Sequence, residues 1–259
     1  MKDPTQANWP GQYEQTPPPP PDRDLIEQLR DPGFNFVPAA RMRALLDPWA
    51  PGKLSDWQAF AQSWERLEID TYMADRGRYR RRRHALYRAS LTDGIVRAPH
   101  RPHFQAVDYN ALYGGIERSF EPISSDIGSG DTMRAVLGFC HATFRAIRPD
   151  VGAWDIEAHQ FRIEARAGVP GEPTPEGVHR DGVDYVLVLM VSRSNISRGT
   201  TQICTVDRRV LSSFTLAQPL DAALLDDQRV YHGVTAVEPI DALRPAWRDV
   251  LVVTFKIAP

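Results

Sequence analysis

Gly177–Val191 reads GVHRDGVDYVLVLMV. A histidine and an aspartate stand two apart, a glycine follows, and an apolar run begins at Tyr185. On an extended chain residues i and i+2 face the same way, so His179 and Asp181 can reach one ion. The apolar run after them has the length and β-branched character of a buried strand. Taken alone, H-x-D is weak, because a polar surface turn has the same composition.

Two distant residues sharpen it. His232, in QRVYHGV, lies 51 residues after Asp181 and alternates with Val230 and Val234, as a residue lining a barrel strand would. Arg248 lies 16 residues after His232 and begins the next strand pattern, RDVLVVTF. Two imidazoles and one carboxylate on one face of an octahedral ion leave three positions open, the facial triad of non-haem Fe(II) oxygenases. The open positions suit a bidentate oxo-acid and then O2. The far carboxylate of that oxo-acid needs a cation, and the fork of Arg248 matches a carboxylate.

The surrounding pattern agrees with a barrel. After Trp154 the segments DIEAHQFRIEA, DYVLVLMV, TTQICTV, RVLSSFTL, AALLDDQRVYHGV and RDVLVVTFKI are short, alternating or β-branched, and separated by turn signals. Before it the pattern is mostly helical. DLIEQLRDPG has Asp24 at an N-cap and Pro32-Gly33 as a stop, and PAARMRALL follows as a second helix. SDWQAFAQSWERLEIDTYM reads as one long amphipathic helix, and GDTMRAVLGFCHATFRAI as another from about Asp131 to Ile147. The predicted fold is α+β: a double-stranded β-helix (jelly roll) core supported by N-terminal helices. Residues 1–22, with QTPPPPPD, form a proline-rich flexible arm. Residues 23–259 form a single domain, with helical support over 23–150 and the main jelly-roll strands over 151–259.

The C-terminal half resembles the 2-oxoglutarate/Fe(II) dioxygenases, and more narrowly the bacterial family that includes the L-isoleucine 4-hydroxylases. HQFRIEA, PTPEGVHRDGVDYV, RSNISRGTTQI, DDQRVYHGVTAVEPI and WRDVLVVTF carry the resemblance, with RYRRRRHALY and PHRPHFQAVDYNALYGGIERSFEPI upstream. It runs from about residue 67 to 256. It implies His179, Asp181 and His232 as iron ligands and Arg248 as the 2-oxoglutarate anchor. The implied cofactors are Fe(II), 2-oxoglutarate and O2, with ascorbate as an in-vitro reductant. The implied substrate is a small molecule, a free aliphatic or modified amino acid hydroxylated at an unactivated C–H. Many related enzymes carry R-x-S at the anchor, the serine sharing the carboxylate. This chain has Arg248-Asp249-Val250, so Thr200, Thr201 and Gln160 become candidates for that second contact. Halogenases of the superfamily replace the carboxylate ligand by a small residue; Asp181 therefore favours hydroxylation.

Other features admit plainer readings. Six arginines lie between Arg76 and Arg83. The net charge is -2, so the run is read as structural, pairing with acidic neighbours, rather than as a nucleic-acid patch. In YNALYGGIERSF, Tyr109, Asn110 and Arg118 are candidates to reach an amino-acid substrate, and Arg118 suits its carboxylate. Along the strand pattern at 159–164, the face of Gln160 and Arg162 is expected to line the pocket. His100 and His103 read as polar surface or pocket lining, and His141 as helix packing. Two cysteines, no signal-peptide core and no membrane-length apolar segment favour a cytoplasmic protein with neither membrane nor nucleic-acid partner. The residues alone leave the oligomeric state open. They also leave open a non-catalytic, cupin-like metal- or ligand-binding β-barrel.

Overall fold

The structure, a computed structural model, describes residues 20–50, 53–73, 79–105 and 114–259. The helices are α1 (Arg23–Arg30), α2 (Ala39–Leu46), α3 (Trp57–Gln62), α4 (Ser125–Gly128) and α5 (Asp131–Ile147). The first strands are β1 (Phe34–Val37), β2 (Glu68–Ile69), β3 (Arg80–Ser90), β4 (Gly94–Arg97), β5 (His103–Phe104) and β6 (Glu117–Arg118). Then come β7 (Ala153–Ala165), β8 (Tyr185–Ser194), β9 (Ile196–Arg198), β10 (Thr201–Cys204) and β11 (Val210–Phe214). The last are β12 (Ala222–Asp226), β13 (Tyr231–Val234), β14 (Val237–Pro239) and β15 (Ala246–Ile257).

Among the described residues, the major sheet runs β1-β12-β8-β15-β7-β3-β2, with β4 also paired to β3. A minor sheet runs β11-β10-β13. Period-two alternation splits the major sheet into two faces. Leu187, Leu189, Leu251, Val253 and Phe255 point outward into one buried cluster that also holds Leu25, Met42, Phe60, Val136 and Phe144 from the helices. Burying each such side chain contributes about 1.5–3 kcal/mol. The alternate residues Val186, Val188, Met190, Val250 and Val252 sit in clusters with Ile203 and Phe214 of the minor sheet. Two facing sheets of unequal size, closed by apolar contacts, are the jelly-roll arrangement expected from the strand pattern.

Several boundaries differ from expectation. The 23–150 stretch is not a purely helical support. β3 pairs along its whole length with β7 in the major sheet, and β1 pairs with β12. β1 interrupts the helical reading of 24–47. Its residues Phe34–Val37 are held by a partner almost two hundred positions away, a contact that local periodicity does not show. The N-cap of α1 is Asp22 rather than Asp24. Its carboxylate accepts the Leu25 N–H at 2.9 Å and is pinned by Arg41 at 3.1 Å. The single long helix expected over 55–73 stops at Gln62 and continues as a 3-10 turn, Ser63–Arg66. There the Ser63 hydroxyl donates to the Phe60 carbonyl at 2.7 Å, and Trp64 Nε1 donates to Phe161 O on β7. Most of the proline-rich arm, residues 1–19, lies outside the described residues. Among the described residues no helix is long and apolar enough to cross a membrane.

Candidate metal centre and its cavity

His179 lies outside the named strands, yet it pairs with His232 through two main-chain hydrogen bonds. His179 N–H donates to His232 O at 2.8 Å and His232 N–H donates to His179 O at 2.9 Å. This bridge extends the minor sheet and sets the two imidazoles 4.5 Å apart, centroid to centroid. Asp181 follows on the same side of the chain. Its two oxygens lie 3.6 Å from His179 Nε2 and 3.5 Å from His232 Nε2. One ligand atom from each of the three residues falls within 4.8 Å of the others, and the donor set of two imidazoles and one carboxylate suits a ferrous ion.

A residue not singled out in the sequence holds this turn. Asp227 is buried, and its carboxylate accepts the main-chain N–H groups of Asp181, Gly182 and Val183 at 3.0, 2.8 and 3.2 Å. Gly182 has φ +78°, which lets the chain curl around that carboxylate at no steric cost. The signal was the doubled aspartate in LLDDQRVYHGV, just ahead of the distal histidine. His179 Nδ1–H donates to Gly177 O at 3.1 Å, and Glu176 lies 3.3 Å from the same nitrogen. That bond fixes the tautomer and leaves Nε2 as the ligating atom. Burial would lower the His179 pKa, but Asp181 and Glu176 outweigh it and push it up to about 9. Burial and the neighbouring His179 press His232 down to about 4. Asp181 is half-buried, and against the upward push of desolvation the two imidazoles hold it below the ordinary carboxylate range.

Arg248 is 2% exposed and lines the same cavity. Its Nε and Nη2 have no hydrogen-bond partner among the described residues. Burial, with Arg193 beside it, pushes its pKa down to about 10. A buried guanidinium with two idle donors is a receptor for an anion, because leaving it unpaired is costly. Gly199, at φ +74°, lets the chain pass close by. A Cβ there would come 2.8 Å from Val237 Cγ1 and 3.2 Å from Arg193 Nη1. Val250 and Val252 follow Arg248 on the cavity side of β15.

The other sequence-predicted residues divide. Gln160 and Arg162 do not line the cavity. Gln160 Nε2 donates to Ser63 Oγ at 2.7 Å, and Arg162 is clamped by Asp249 at 2.8 Å and Glu65 at 2.7 Å. The physical reason lies one turn of alternation earlier in β7. Trp154, Ile156 and Ala158 belong to the core beneath the helices, so Gln160 and Arg162 must share that side. The cavity face is Asp155, Glu157, His159, Phe161 and Ile163. The Thr200 hydroxyl is engaged with that of Thr215 at 3.1 Å, and Thr200 is not part of the wall. Thr201 is not part of the wall either, but it is buried and pairs across the ladder with Val234, which is. Tyr109 and Asn110 lie outside the described residues. Arg118 is buried and does line the cavity.

The arginine run also alternates. Arg81 reaches Glu164 at 2.6 Å and Arg83 reaches Glu68 at 3.6 Å, as the structural reading expected. Arg80 and Arg82 turn inward, lie against buried Asp70 at 2.8 and 3.9 Å, and form part of the cavity wall. The cavity, about 900 Å³, thus holds the triad, Arg248 and a second polar group around Glu157.

Comparison with known proteins adds a family. Residues 61–254 match the model described as 2OG-Fe dioxygenase. The chain is similar to a 3(1)-hydroxy-L-isoleucine 4-dioxygenase of Pantoea ananatis, 25% identical over 240 residues, covering 90% of this chain and 95% of that protein. It is also similar to an L-isoleucine-4-hydroxylase of Bacillus thuringiensis, 28% identical over 59% of this chain and 64% of the relative. Among solved structures, a bsmA homolog from Methylobium petroleophilum PM1 is 38% identical, with a TM-score of 0.80, over 90% of this chain and 92% of that one.

Proposed function

The chain belongs to the 2OG-Fe dioxygenase family, and from that premise we propose that it hydroxylates an unactivated C–H bond of a free or modified amino acid. Membership makes it a 2-oxoglutarate-dependent non-haem iron oxygenase that uses Fe(II), 2-oxoglutarate and O2, rather than a non-catalytic barrel. In this reading His179, Asp181 and His232 hold the iron. Arg248 holds the far carboxylate of 2-oxoglutarate. Bound there, iron supplies the oxidising power for C–H hydroxylation, with 2-oxoglutarate decarboxylated to succinate.

The residues of this chain do the positioning. The reciprocal main-chain pair fixes the spacing of the histidines, and Asp227 fixes the turn that presents Asp181. Val188, Val250 and Val252 give the space beside the triad an apolar wall. Thr201, on the ladder beside Val234, is the remaining candidate for the second carboxylate contact. Asp181 occupies the third ligand position, which favours hydroxylation over halogenation. The names of the two relatives point to an aliphatic amino acid as substrate.

One observation carries the reading: a buried arginine with two idle donors shares a cavity with a two-histidine, one-carboxylate cluster. The test is succinate release from purified protein given Fe(II), ascorbate, 2-oxoglutarate and O2 across a panel of free L-amino acids. Mass spectrometry then looks for a product one oxygen heavier. Substrate-dependent succinate with such a product is the expected result. No succinate from verified iron-loaded protein would sink the assignment.

A further inference from the structure

The cavity has a second polar pole. On β7, Glu157 stands six residues before Ile163, the residue that pairs with Arg248. At about 3.3 Å per residue that separates the two poles by roughly 20 Å along the strand. Glu157 Oε2 accepts His103 Nδ1–H at 2.6 Å and His159 Nε2–H at 3.1 Å. The His159 tautomer follows from its other nitrogen, Nδ1, which accepts from Arg82 Nη2 at 3.0 Å. His84 stacks on His159 at 5.6 Å, and Arg82 is sandwiched by the rings of Phe120 and Phe161 at 3.8 and 4.5 Å. Burial would raise the Glu157 pKa, but the two imidazoles overcome this and hold it well below the ordinary carboxylate range. The glutamate is therefore a fixed anion, and its Oε1 accepts no hydrogen bond from the described residues.

Arg118 complements it. It is 2% exposed, lines the cavity, and its side-chain Nε has no hydrogen-bond partner among the described residues. β6 carries it directly opposite His103 on β5, the residue that grips Glu157. One buried cation with an idle Nε and one half-buried anion with an idle oxygen thus line the same space. A monoanion satisfies only the first of them. A zwitterion with adjacent carboxylate and ammonium satisfies both.

We propose that Arg118 and Glu157 form the head-group receptor for an α-amino acid zwitterion, Arg118 taking the carboxylate and Glu157 the ammonium, with His103, His159 and Arg82 holding Glu157 in position. This rests on the hydroxylase reading above and adds to it that both charged groups of the substrate are free. The side chain then points along β7, past Phe161, toward the triad. Gln105, two residues after His103, donates from Nε2 to Asp181 O at 3.1 Å, which ties the segment carrying His103 to the turn of the triad.

The test is calorimetric titration of the anaerobic Fe(II)–2-oxoglutarate protein with the twenty protein L-amino acids. The tightest binder is then compared with its deaminated and its decarboxylated analogue. At least one free amino acid is expected to bind, and each analogue about tenfold or more weaker. Glu157→Gln is expected to weaken the amino acid about tenfold or more and leave the deaminated analogue within twofold. Arg118→Met is expected to weaken both carboxylates, and Arg118→Lys to recover part of the loss. Affinity for 2-oxoglutarate stays within twofold throughout, which also reports that each variant is folded. The analogue comparison on the unaltered protein stands even where a variant does not fold. Three results would overturn the proposal: no free amino acid binds although 2-oxoglutarate does; Glu157→Gln weakens amino acid and deaminated analogue alike; or metal analysis finds a second ion per chain that Glu157→Gln removes. Absence of 2-oxoglutarate binding, by contrast, breaks the hydroxylase reading itself.

Discussion

His179–Asp181–His232 and His103–Glu157–His159 are both sets of two imidazoles and one carboxylate, both within one cavity, and both with ligand atoms inside 4.8 Å of one another. Their neighbours differ in sign. Around the first stand the carboxylates of Glu176, 3.3 Å from His179, and Asp227, 4.0 Å from His232. Around the second, Arg82 donates to His159, and Arg118 acts on His103 through its field. Two unit charges 4 Å apart interact by about 4 kcal/mol at an effective dielectric near 20. Acidic neighbours therefore favour a divalent cation in the first cluster, and guanidinium neighbours oppose one in the second. Donor type does not distinguish a metal centre from a polar clamp here; the surrounding charge does.

The largest expected effect separates the two directly. Asp181→Ala abolishes substrate-dependent succinate and bound iron, whereas Glu157→Gln keeps one iron per chain, as metal analysis of both variants will show. Near-normal turnover by an iron-loaded Asp181→Ala protein breaks the comparison. Next comes Arg248→Met. Truncating one partner of a buried charged contact costs about 2–5 kcal/mol, so the Kd for 2-oxoglutarate rises about thirtyfold or more in a binding titration, with iron content unchanged. Asp227→Asn keeps the shape of the carboxylate while weakening its hold on three N–H groups. Loss of an outer-shell partner lowers metal affinity about 10–100-fold, measured by competition with a chelator. The smallest effect is that of Thr201→Val. If its hydroxyl shares the 2-oxoglutarate carboxylate, KM for 2-oxoglutarate rises about threefold to tenfold, the worth of one hydrogen bond. An unchanged KM removes Thr201 as the partner.

The His179–Asp181–His232 cluster was legible as a grouping because its information is local or spaced by simple rules. His179 and Asp181 share a face through period-two geometry. His232 and Arg248 stand on apolar strands whose alternation is visible in the sequence. The second cluster was not legible. His103 and Glu157 are 54 positions apart and meet only when β5 and β7 line one cavity. The choice of face on β7 failed because both sides of AHQFRIEA carry polar residues. The tryptophan, isoleucine and alanine at 154, 156 and 158 would have decided it, had the register been carried forward from them. β1 hides for a related reason: FNFV is too short to announce itself between two helices and owes its form to β12. Asp227 was passed over because a carboxylate that binds main-chain N–H groups has no pattern of its own beyond being acidic and near a turn.

The reciprocal main-chain bridge between His179 and His232 has a consequence for how the centre is loaded. Its spacing belongs to the ladder of the minor sheet, so the polypeptide does not wait for an ion to bring the histidines together. If the triad holds an ion as proposed, stripping it with a chelator is expected to leave the sheet folded, as far-ultraviolet circular dichroism before and after would show.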